Sequence, residues 1–409
     1  MGVERPKRDA VGGLESLDEL ERLAESAGVQ VVGRVLQVLA RPQPATFIGS
    51  GKVDEVRRYA WENQAQVVIF DESLAPAQQR NLETALGIKV IDRSQLILDI
   101  FAQRARSLEG KLQVELAQLQ YLLPRLTRQW QHLSRLGGGV GTRGPGETQL
   151  EVDRRKVRER VAVLRRRLRE VARTRHIHRQ SRSDVPLPVV ALVGYTNAGK
   201  STLMNQLTAA HALVADQLFA TLDPMVRHFR LPAGMTALLV DTVGFIHKLP
   251  HGFVDAFKST LEEVQTADLL LHVVDASHPM MAHQQEVVES VLRELEVAHK
   301  PRILVFNKID LVRDPPFVPP GSPACFVSAR TGEGLGQLLH CIEEKLMTLF
   351  EEVRVQLPLH RGDLVARVRR LGRIVEEHYS ADSVELCAFV PPKLAGQLRK
   401  HSLHGSVNH

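Results

Sequence analysis

Residues 194–201 read GYTNAGKS and match G-x-x-x-x-G-K-[ST], the pattern of a loop that wraps phosphate groups. A valine-rich stretch precedes this phosphate loop and a helical stretch at 201–207 follows it, as the pattern requires. Backbone N–H groups of such a loop and the N-terminus of its helix face the negative charge. The sequence therefore predicts that Lys200 contacts the β- and γ-phosphates of a nucleotide and that Ser201 binds Mg²⁺. The other nucleotide contacts predicted in the loop are Gly194, Tyr195, Thr196, Asn197, Ala198, Gly199 and Thr202.

Two later segments have the residue types that sense a γ-phosphate. Residues 241–244 (DTVG) follow an apolar strand, where Asp241 can hold Mg²⁺ through water and the Gly244 amide can contact the γ-phosphate. Thr221 lies where a switch segment places a hydroxyl on the metal only when the γ-phosphate is present. We assign catalysis to Lys200, Thr221 and Gly244, and the metal to Ser201, Thr221 and Asp241. Further nucleotide contacts are predicted for Phe219, Ala220, Thr242 and Val243.

Residues 307–310 (NKID) and 328–330 (SAR) predict selection of guanine. The Asp310 carboxylate can accept hydrogen bonds from N1–H and the 2-amino group of guanine. Adenine lacks both donors and would leave the carboxylate unpaired, so selectivity should be large. Lys308 can lie along the base plane, and the Ala329 amide can donate to O6. The base contacts predicted in the two segments are Asn307, Lys308, Asp310, Ser328, Ala329 and Arg330.

Phe245 occupies the position directly after the DTVG segment. Many related nucleotide hydrolases carry a glutamine there, which orients the attacking water. A phenylalanine side chain has no hydrogen-bonding atom, so charge stabilisation remains while water positioning is absent. The sequence predicts slow hydrolysis by the chain alone and acceleration by a partner. A Phe245 that only packs against its own domain is compatible with the same slow rate.

Residues 1–103 alternate the patterns of strands and helices and predict an N-terminal α/β domain. Helices are expected at 17–26, 53–63 and 76–86, and strands at 29–39, 67–70 and 88–91. Ser16 and Glu19 have the spacing of a capping box at the start of the first helix. Strands separated by helices of this length predict a small, mostly parallel sheet.

Residues 104–182 change to a heptad-like helical period. Leucines recur every three or four residues from Leu112 to Leu133, and apolar residues do so again from Val157 to Val171. The two stretches predict an antiparallel helical hairpin with a glycine-rich tip at 137–146. Pro124 should kink the first of these helices because it removes a backbone hydrogen bond.

The same hairpin concentrates positive charge. Residues 104–182 hold twenty basic and seven acidic side chains, whereas the rest of the chain has a net charge of −7. A solvated helix face and a flexible connector are ordinary explanations for the arginines and for the tip. The excess of arginine over lysine favours phosphate as a partner, so we predict RNA binding. The candidate residues are Gly138, Gly139, Arg143, Arg165, Arg166 and Arg167.

The remaining chain predicts two more domains, which makes the fold a multidomain α/β one. Residues 183–350 predict a nucleotide-binding domain with a mixed sheet and helices on both faces, and 351–409 a small α+β domain. Hydrophobic residues make up 44% of the 409 residues, which excludes a wholly disordered or fibrous protein. There is no apolar run of the ~20 residues that a membrane span needs. Three widely spaced cysteines and an N-terminus without a secretory signal predict a cytoplasmic protein, and we expect a monomer.

Taken in order, the phosphate loop, Thr221, DTVG, NKID and SAR resemble the signature elements of the translation-factor class of P-loop GTPases. The wider chain is similar to the HflX family, on the sequences FIGSGK at 47–52, GGVGTRGPGE at 138–147, GYTNAGKS at 194–201 and DTVGF at 241–245. This resemblance implies a ribosome-associated GTPase that binds the large subunit and its rRNA and separates stalled or idle ribosomes into subunits. It also implies that the N-terminal domain and the hairpin contact the ribosome, with the tip reaching toward the peptidyl-transferase region.

Two other functions are compatible with these residues. The chain could be a factor for large-subunit assembly or quality control that uses GTP only as a switch for RNA binding. It could also be the GTPase partner of an RNA-modifying enzyme, although no further nucleophile or cofactor motif stands outside 189–350. Repeated turnover with release of free subunits distinguishes ribosome splitting from a single hydrolysis event in assembly.

Overall fold

The computed structural model describes most of the chain and divides it into two compact units. The described residues are 1–4, 12–129, 149–182, 187–208, 218–219, 221–248, 263–314, 316–318 and 323–402. The first unit comprises Met1–Thr174, Asp216–Asp223 and His247–Ser259, and the second comprises Arg175–Ala215, Pro224–Ile246 and Thr260–His409. Four residues with predicted roles, Gly138, Gly139, Arg143 and Ala220, lie outside the described residues.

The N-terminal part of the first unit contains four helices around two pairs of parallel strands. The strands are β1 (Gly2–Glu4), β2 (Leu36–Val38), β3 (Val67–Phe70) and β4 (Lys89–Asp92), with β1 paired to β2 and β3 to β4. The helices are α1 (Gly13–Ser26), α2 (Ser50–Glu62), α3 (Pro76–Leu86) and α4 (Arg93–Arg104). The apolar core between them includes Ile48, Phe70, Leu82 and Val90, all nearly inaccessible to solvent.

Two details of the predicted N-terminal fold are wrong. The strand expected at 29–39 forms only at Leu36–Val38, because that is the stretch that pairs with β1. The predicted capping box does not form: α1 begins at Gly13, with Gly12 at its N-cap. Ser16 is buried instead, and its hydroxyl donates to Asp71 Oδ2 at 2.6 Å.

A buried ion cluster joins α1, α4 and the end of β3. Arg93 is 1% exposed and donates from its guanidinium to Asp71 Oδ1 at 2.8 Å and to the Glu19 carboxylate. Lys248 Nζ lies 2.6 Å from Asp71 Oδ2. Burial alone would raise the pKa of Asp71, but the charges of Arg93 and Lys248 lower it to about 2. Asp71 is therefore ionised across the physiological pH range, and the two cations stabilise its buried carboxylate.

The hairpin of the first unit is formed by α5 (Leu108–Gln129) and α6 (Gln149–Arg182). The predicted seam is confirmed where it is described, since Leu112 and Leu116 on α5 form one buried cluster with Val161 and Leu164 on α6. A guanidinium–carboxylate pair, Arg160 with Glu115, adds two hydrogen bonds of 2.7 and 2.9 Å across the helices. Helix α5 is continuous through Pro124.

The second unit is built on a six-stranded sheet in the order β10-β9-β8-β5-β7-β6. The strands are β5 (Val189–Gly194), β6 (Met225–Arg230), β7 (Thr236–Asp241), β8 (Leu269–Asp275), β9 (Arg302–Asn307) and β10 (Ala324–Phe326). Strand β6 is antiparallel to β7 and the other pairs are parallel, so the predicted mixed sheet is confirmed. Its helices are α7 (Lys200–Thr208), α8 (Met281–Glu294) and α9 (Leu335–Met347).

The C-terminal part of the second unit is a small α+β fold with its own core. Strands β11 (Glu351–Pro358), β12 (Arg373–Tyr379) and β13 (Ser383–Val390) form an antiparallel sheet with β13 in the centre. Helices α10 (Gly362–Leu371) and α11 (Pro392–His401) cover it through buried residues such as Val368 and Leu398. Among the described residues, no helix combines the length and apolarity needed to cross a membrane.

Replacing Arg93 by methionine should destabilise the protein strongly. The substitution keeps the volume but leaves Asp71 buried with Lys248 as its main counter-charge. Removing one partner of a buried pair costs about 3–5 kcal/mol. Urea unfolding followed by circular dichroism would measure the loss. The matched control is Arg57→Met, which removes an exposed pair with Asp54 and should cost less than about 1 kcal/mol. Equal midpoints for the two variants would contradict a structural role for the cluster.

Candidate nucleotide-binding site

The carboxyl ends of the parallel strands gather the predicted nucleotide residues of the second unit at one edge of the sheet. Strand β5 ends at Gly194, β7 at Asp241, β8 at Asp275 and β9 at Asn307. Strand β5 is central and has parallel neighbours on both sides, β7 and β8. After β5 the chain forms the strands on one side of it, β6 and β7, and later those on the other side, β8 to β10. Ligands of open α/β sheets bind where the strand order reverses in this way.

The phosphate loop adopts backbone geometry that depends on glycine. Gly199 has φ of +92°, and a Cβ there would lie 2.2 Å from the Asn307 amide nitrogen. Asn307 Nδ2 donates to the Ala198 carbonyl at 2.8 Å, which ties the loop to the end of β9. Helix α7 begins directly after Gly199, so its first N–H groups join those of the loop. This arrangement provides the backbone donors that phosphate oxygens need.

The side chain of Lys200 is buried within the phosphate loop. Its side chain is held by the loop carbonyls, with Nζ donating to Gly194 O at 3.1 Å and to Tyr195 O at 2.7 Å. Burial lowers the pKa of Lys200 to about 8, although the charge of Asp241 opposes the shift. The ammonium group is thus confined beside the loop at the place where phosphate charge would stabilise it.

Hydroxyl and carboxylate oxygens suited to Mg²⁺ meet at the start of α7. Ser201 Oγ donates to Asp241 Oδ2 at 2.6 Å, and Asp241 is fully buried. Gly244 lets its backbone approach the phosphate loop closely, because a Cβ there would lie 2.8 Å from Thr196 Cα and 3.0 Å from Lys200 Nζ. Hard oxygen donors beside a phosphate loop are what Mg²⁺ prefers, so these residues are compatible with the metal.

The residues predicted to recognise the base form a connected set in the same unit. Asn307 Oδ1 accepts the Ala329 N–H at 2.9 Å, and Asp310 Oδ1 accepts the Ser328 hydroxyl at 2.6 Å. Lys308, whose φ is +66°, donates to Asp275 Oδ2 at 2.6 Å. The carboxylate of Asp310 therefore already has a hydroxyl donor that orients it. Arg330 is exposed.

Two features of this corner were not predicted from the sequence. Asp275, which ends β8 as Asp241 ends β7, fixes the ammonium of Lys308. The Ala329 amide, predicted to donate to guanine O6, donates here to Asn307, so the base would have to share or replace that bond. Asp275 could have been found from its position, since an acidic residue that ends a buried strand beside two nucleotide segments lies at the ligand edge.

Phe245 packs against the phosphate loop. It is 3% exposed, its N–H donates to Gly194 O at 3.1 Å, and its carbonyl accepts the Thr196 N–H at 2.7 Å. The ring is therefore part of the domain core, and nothing in its side chain can orient water.

Thr221 and Phe219 belong to the first unit and not to the unit that contains the phosphate loop. Phe219 packs edge-to-face on Phe101 of α4, with ring centroids 4.6 Å apart. The Leu218 N–H donates to Ser26 Oγ at 3.2 Å. The metal contact of Thr221 stays a prediction.

Asp223 is a further residue that sequence reasoning missed. Its carboxylate accepts the N–H groups of Arg106 at 3.0 Å and Ser107 at 2.8 Å, and also the Ser107 hydroxyl. These residues immediately precede α5, so Asp223 caps the first helix of the hairpin from a distant part of the chain. Gly110 makes room for it, because a Cβ there would lie 2.3 Å from Asp223 Oδ1.

Three known protein families match successive parts of the chain between residues 14 and 308. Residues 14–102 match the family described as GTP-binding GTPase N-terminal, and 104–182 match GTP-binding GTPase Middle Region. Residues 189–308 match the family described as 50S ribosome-binding GTPase.

Individual relatives agree. The chain is 49% identical to a GTPase HflX of Caldanaerobacter subterraneus subsp. tengcongensis, covering 94% of this chain and 90% of that protein. It is 46% identical to GTPase HflX of Escherichia coli, covering 92% and 90%. Among solved structures, a GTP-binding protein of Sulfolobus solfataricus in complex with GDP is similar at 24% identity and a TM-score of 0.44, covering 85% of this chain and 98% of that one.

The low pKa of Lys200 predicts how nucleotide affinity changes with pH. Below about pH 8 the ammonium is charged before the nucleotide arrives, and above it binding must also take up a proton. Affinity for GDP should therefore fall by roughly fourfold between about pH 7 and about pH 8.5. Isothermal titration calorimetry in buffers of different ionisation heat would report both the affinity and the proton uptake. Constant affinity with no proton uptake would show that the pKa of Lys200 is not lowered.

Proposed function

Since the chain belongs to the HflX family of ribosome-associated GTPases, we propose that it binds the large ribosomal subunit and its rRNA and dissociates stalled or idle ribosomes into subunits. The observation that carries this proposal is the presence, in one chain, of a GTP-binding unit and a helical hairpin with an exposed arginine face. We further propose that it acts in the cytoplasm as a monomer.

Hydrolysis of GTP to GDP and phosphate is proposed to depend on charge stabilisation by the second unit. Lys200 and the loop amides neutralise the β- and γ-phosphates, and the Gly244 amide binds the γ-phosphate. Ser201 and Asp241 of this unit, with Thr221, are the residues that would hold Mg²⁺, which supplies further neutralisation of the phosphate charge when bound. Selection of guanine is assigned to Asp310, with Asn307, Lys308 and Ala329 around the base.

The rate of the chain alone should be low. Phe245 is buried against the phosphate loop and has no polar side-chain atom, so the water must be oriented by another group. We propose that the ribosome completes this part of the site, which would confine GTP hydrolysis to the bound state.

The exposed face of α6 is the proposed RNA contact. Arg165, Arg166 and Arg167 are exposed, and the one ion pair that they form with described residues, Arg166 with Glu170, is a loose one of 4.0 Å. Tyr121, one of the few aromatic residues of the hairpin, is already engaged, since its hydroxyl donates to Asp92 at 2.9 Å and Arg125 covers its ring. In the described part of the hairpin, exposed charge is therefore not accompanied by a free aromatic ring, which favours the phosphate backbone of structured RNA over stacking on single strands.

Asp223 is the proposed link between GTP and this hairpin. It lies two residues after Thr221 in the segment that is expected to respond to the γ-phosphate. The chain enters the second unit immediately after it, at Pro224. A movement of residues 218–223 would weaken the three hydrogen bonds at the start of α5, so we propose that nucleotide state alters the hairpin through this cap.

An assembly or quality-control factor is the alternative function, because it would need the same GTP site and the same RNA surface. Repeated release of free subunits supports ribosome splitting, whereas one hydrolysis event per assembled subunit supports the alternative.

The basic face is tested on sucrose gradients of ribosomes with GTP, a non-hydrolysable analogue or GDP. We expect free subunits with the wild type and GTP, and faster GTP hydrolysis with ribosomes than without them. Replacing Arg165–Arg167 by glutamine should reduce co-sedimentation with large subunits roughly tenfold or more at physiological salt, with GTP affinity unchanged. The matched control replaces three exposed arginines of the second unit, Arg293, Arg313 and Arg354. Equal binding by the two triple variants would refute the proposed surface.

The Asp223 link is tested by the ratio of large-subunit affinities with GTP analogue and with GDP. Asp223→Ala removes the cap, at a cost of about 1 kcal/mol, and should bring this ratio close to one. Gly110→Ala should do the same without changing charge, because its Cβ would displace the carboxylate. Gly396→Ala, whose Cβ would meet open space in α11, is the control. A ratio that stays at the wild-type value in both variants would exclude this route.

A further inference from the structure

A cavity of about 540 Å³ lies in the second unit, away from the nucleotide residues. One wall comes from the β6–β7 hairpin with Arg230, and the other from α10 and the end of β12 with Arg369, Arg370 and Tyr379. The volume is in the range of small-molecule sites.

The cavity has an excess of positive charge. Arg369 is neutralised by Glu377, to whose carboxylate it donates at 2.7 Å. Within the described part of the chain, Arg230 and Arg370 form no ion pair with a carboxylate, and both are exposed. Two guanidinium groups thus face the same space without a counter-charge, which is a setting that phosphate oxygens would stabilise.

Stabilisation of the α10 C-terminus does not explain why arginines of two different elements line one cavity. Arg369 and Arg370 lie in the last turn of α10, where cations interact favourably with the carbonyl groups of the helix C-terminus. Arg230, however, ends a strand of a different part of the fold. Its hairpin is held in place by Glu343 of α9, which accepts the Ala233 N–H at 3.0 Å. Arg230 is therefore brought to the cavity by the packing of β6 and β7.

Tyr379 adds an aromatic surface of fixed orientation. Its hydroxyl donates to Glu377 at 2.7 Å and accepts from Arg369 at 3.2 Å, yet 60% of the residue is exposed. Two polar contacts at the tip leave the ring face available. The buried side chains of Val365 and Val384 line the cavity near it and give it an apolar floor. An aromatic ring beside an apolar floor and two arginines suits a base joined to a phosphate.

We propose that this cavity binds a nucleoside phosphate, with the phosphate on Arg230 and Arg370 and the base against Tyr379. The ligand is a nucleotide of an RNA chain or a free mononucleotide, which share this chemistry. The site is separate from the GTP site and from the hairpin, and it would give the C-terminal part of the protein a nucleic-acid or nucleotide contact of its own.

The test uses the full-length protein with GDP and Mg²⁺ saturating the GTP site. A fluorescently labelled short oligoadenylate is titrated at several KCl concentrations, and anisotropy gives the affinity and its salt dependence. The double variant Arg230→Gln/Arg370→Gln should bind more weakly, and its slope of log affinity against log salt should be smaller by about 0.7, the value for one phosphate of a single strand. Tyr379→Leu should weaken binding roughly tenfold and leave the slope unchanged, because stacking involves no counterion release.

The matched control is Arg293→Gln/Arg354→Gln, which removes two exposed arginines of the same unit that do not line the cavity. Equilibrium dialysis of AMP forms the second arm. Retention of AMP by the wild type and its loss in the Arg230/Arg370 variant identify a free mononucleotide as a ligand. A variant effect on oligoadenylate without AMP retention identifies an RNA chain.

Binding of both probes that is equal in the Arg230/Arg370 variant and in the control would overturn the proposal. Ribosomes take no part in this measurement, so a failure here leaves the proposed ribosome function untouched. Likewise, if the protein did not split ribosomes, this experiment would still test whether the cavity binds a nucleoside phosphate.

Discussion

The side-chain amide of Asn307 holds the nucleotide site together. Its nitrogen donates to the phosphate loop at Ala198, and its oxygen accepts the backbone N–H of Ala329 in the base-recognition segment. Both bonds are buried, so neither can be replaced by water without cost. Gly199 is required by the same contact, because any Cβ at that position would collide with the amide. The segments predicted to bind the phosphates and to recognise the base are therefore held by the same side chain.

The parts of the fold with strong local signals could be predicted from the sequence. The phosphate loop is followed by a helix as expected, because glycine spacing and a preceding apolar strand specify that turn. The hairpin seam, which contains Leu112 and Leu164, follows the spacing of three or four residues that is typical of an apolar helix face. In both cases the residues that set the pattern are close together in the sequence.

The hydrogen bonds of Ser16, Asp71 and Asp223 could not be predicted from the sequence, because they join residues that are distant in the chain. Ser16 has the local pattern of a helix cap, but its hydroxyl hydrogen-bonds to a carboxylate that is distant in the sequence. Asp223 caps a helix whose start lies more than a hundred residues earlier in the chain. Neither partner can be identified from local spacing, since both pairs exist only after tertiary packing has brought the segments together. Asp275 belongs to an intermediate class, because its position at a strand end was informative although its partner was not.

Lys248 has a consequence for the energetics of the whole cycle. It stands four residues beyond Gly244 and is, with Arg93, one of the two cations that keep Asp71 ionised in the interior of the first unit. Any rearrangement that withdraws it would leave Arg93 as the remaining counter-charge of a buried carboxylate and would destabilise the N-terminal fold. By reciprocity, a substitution that destabilises that fold also lowers the free-energy cost of withdrawing Lys248. The position of Lys248 after the DTVG segment and the thermal stability of the N-terminal domain are therefore thermodynamically coupled.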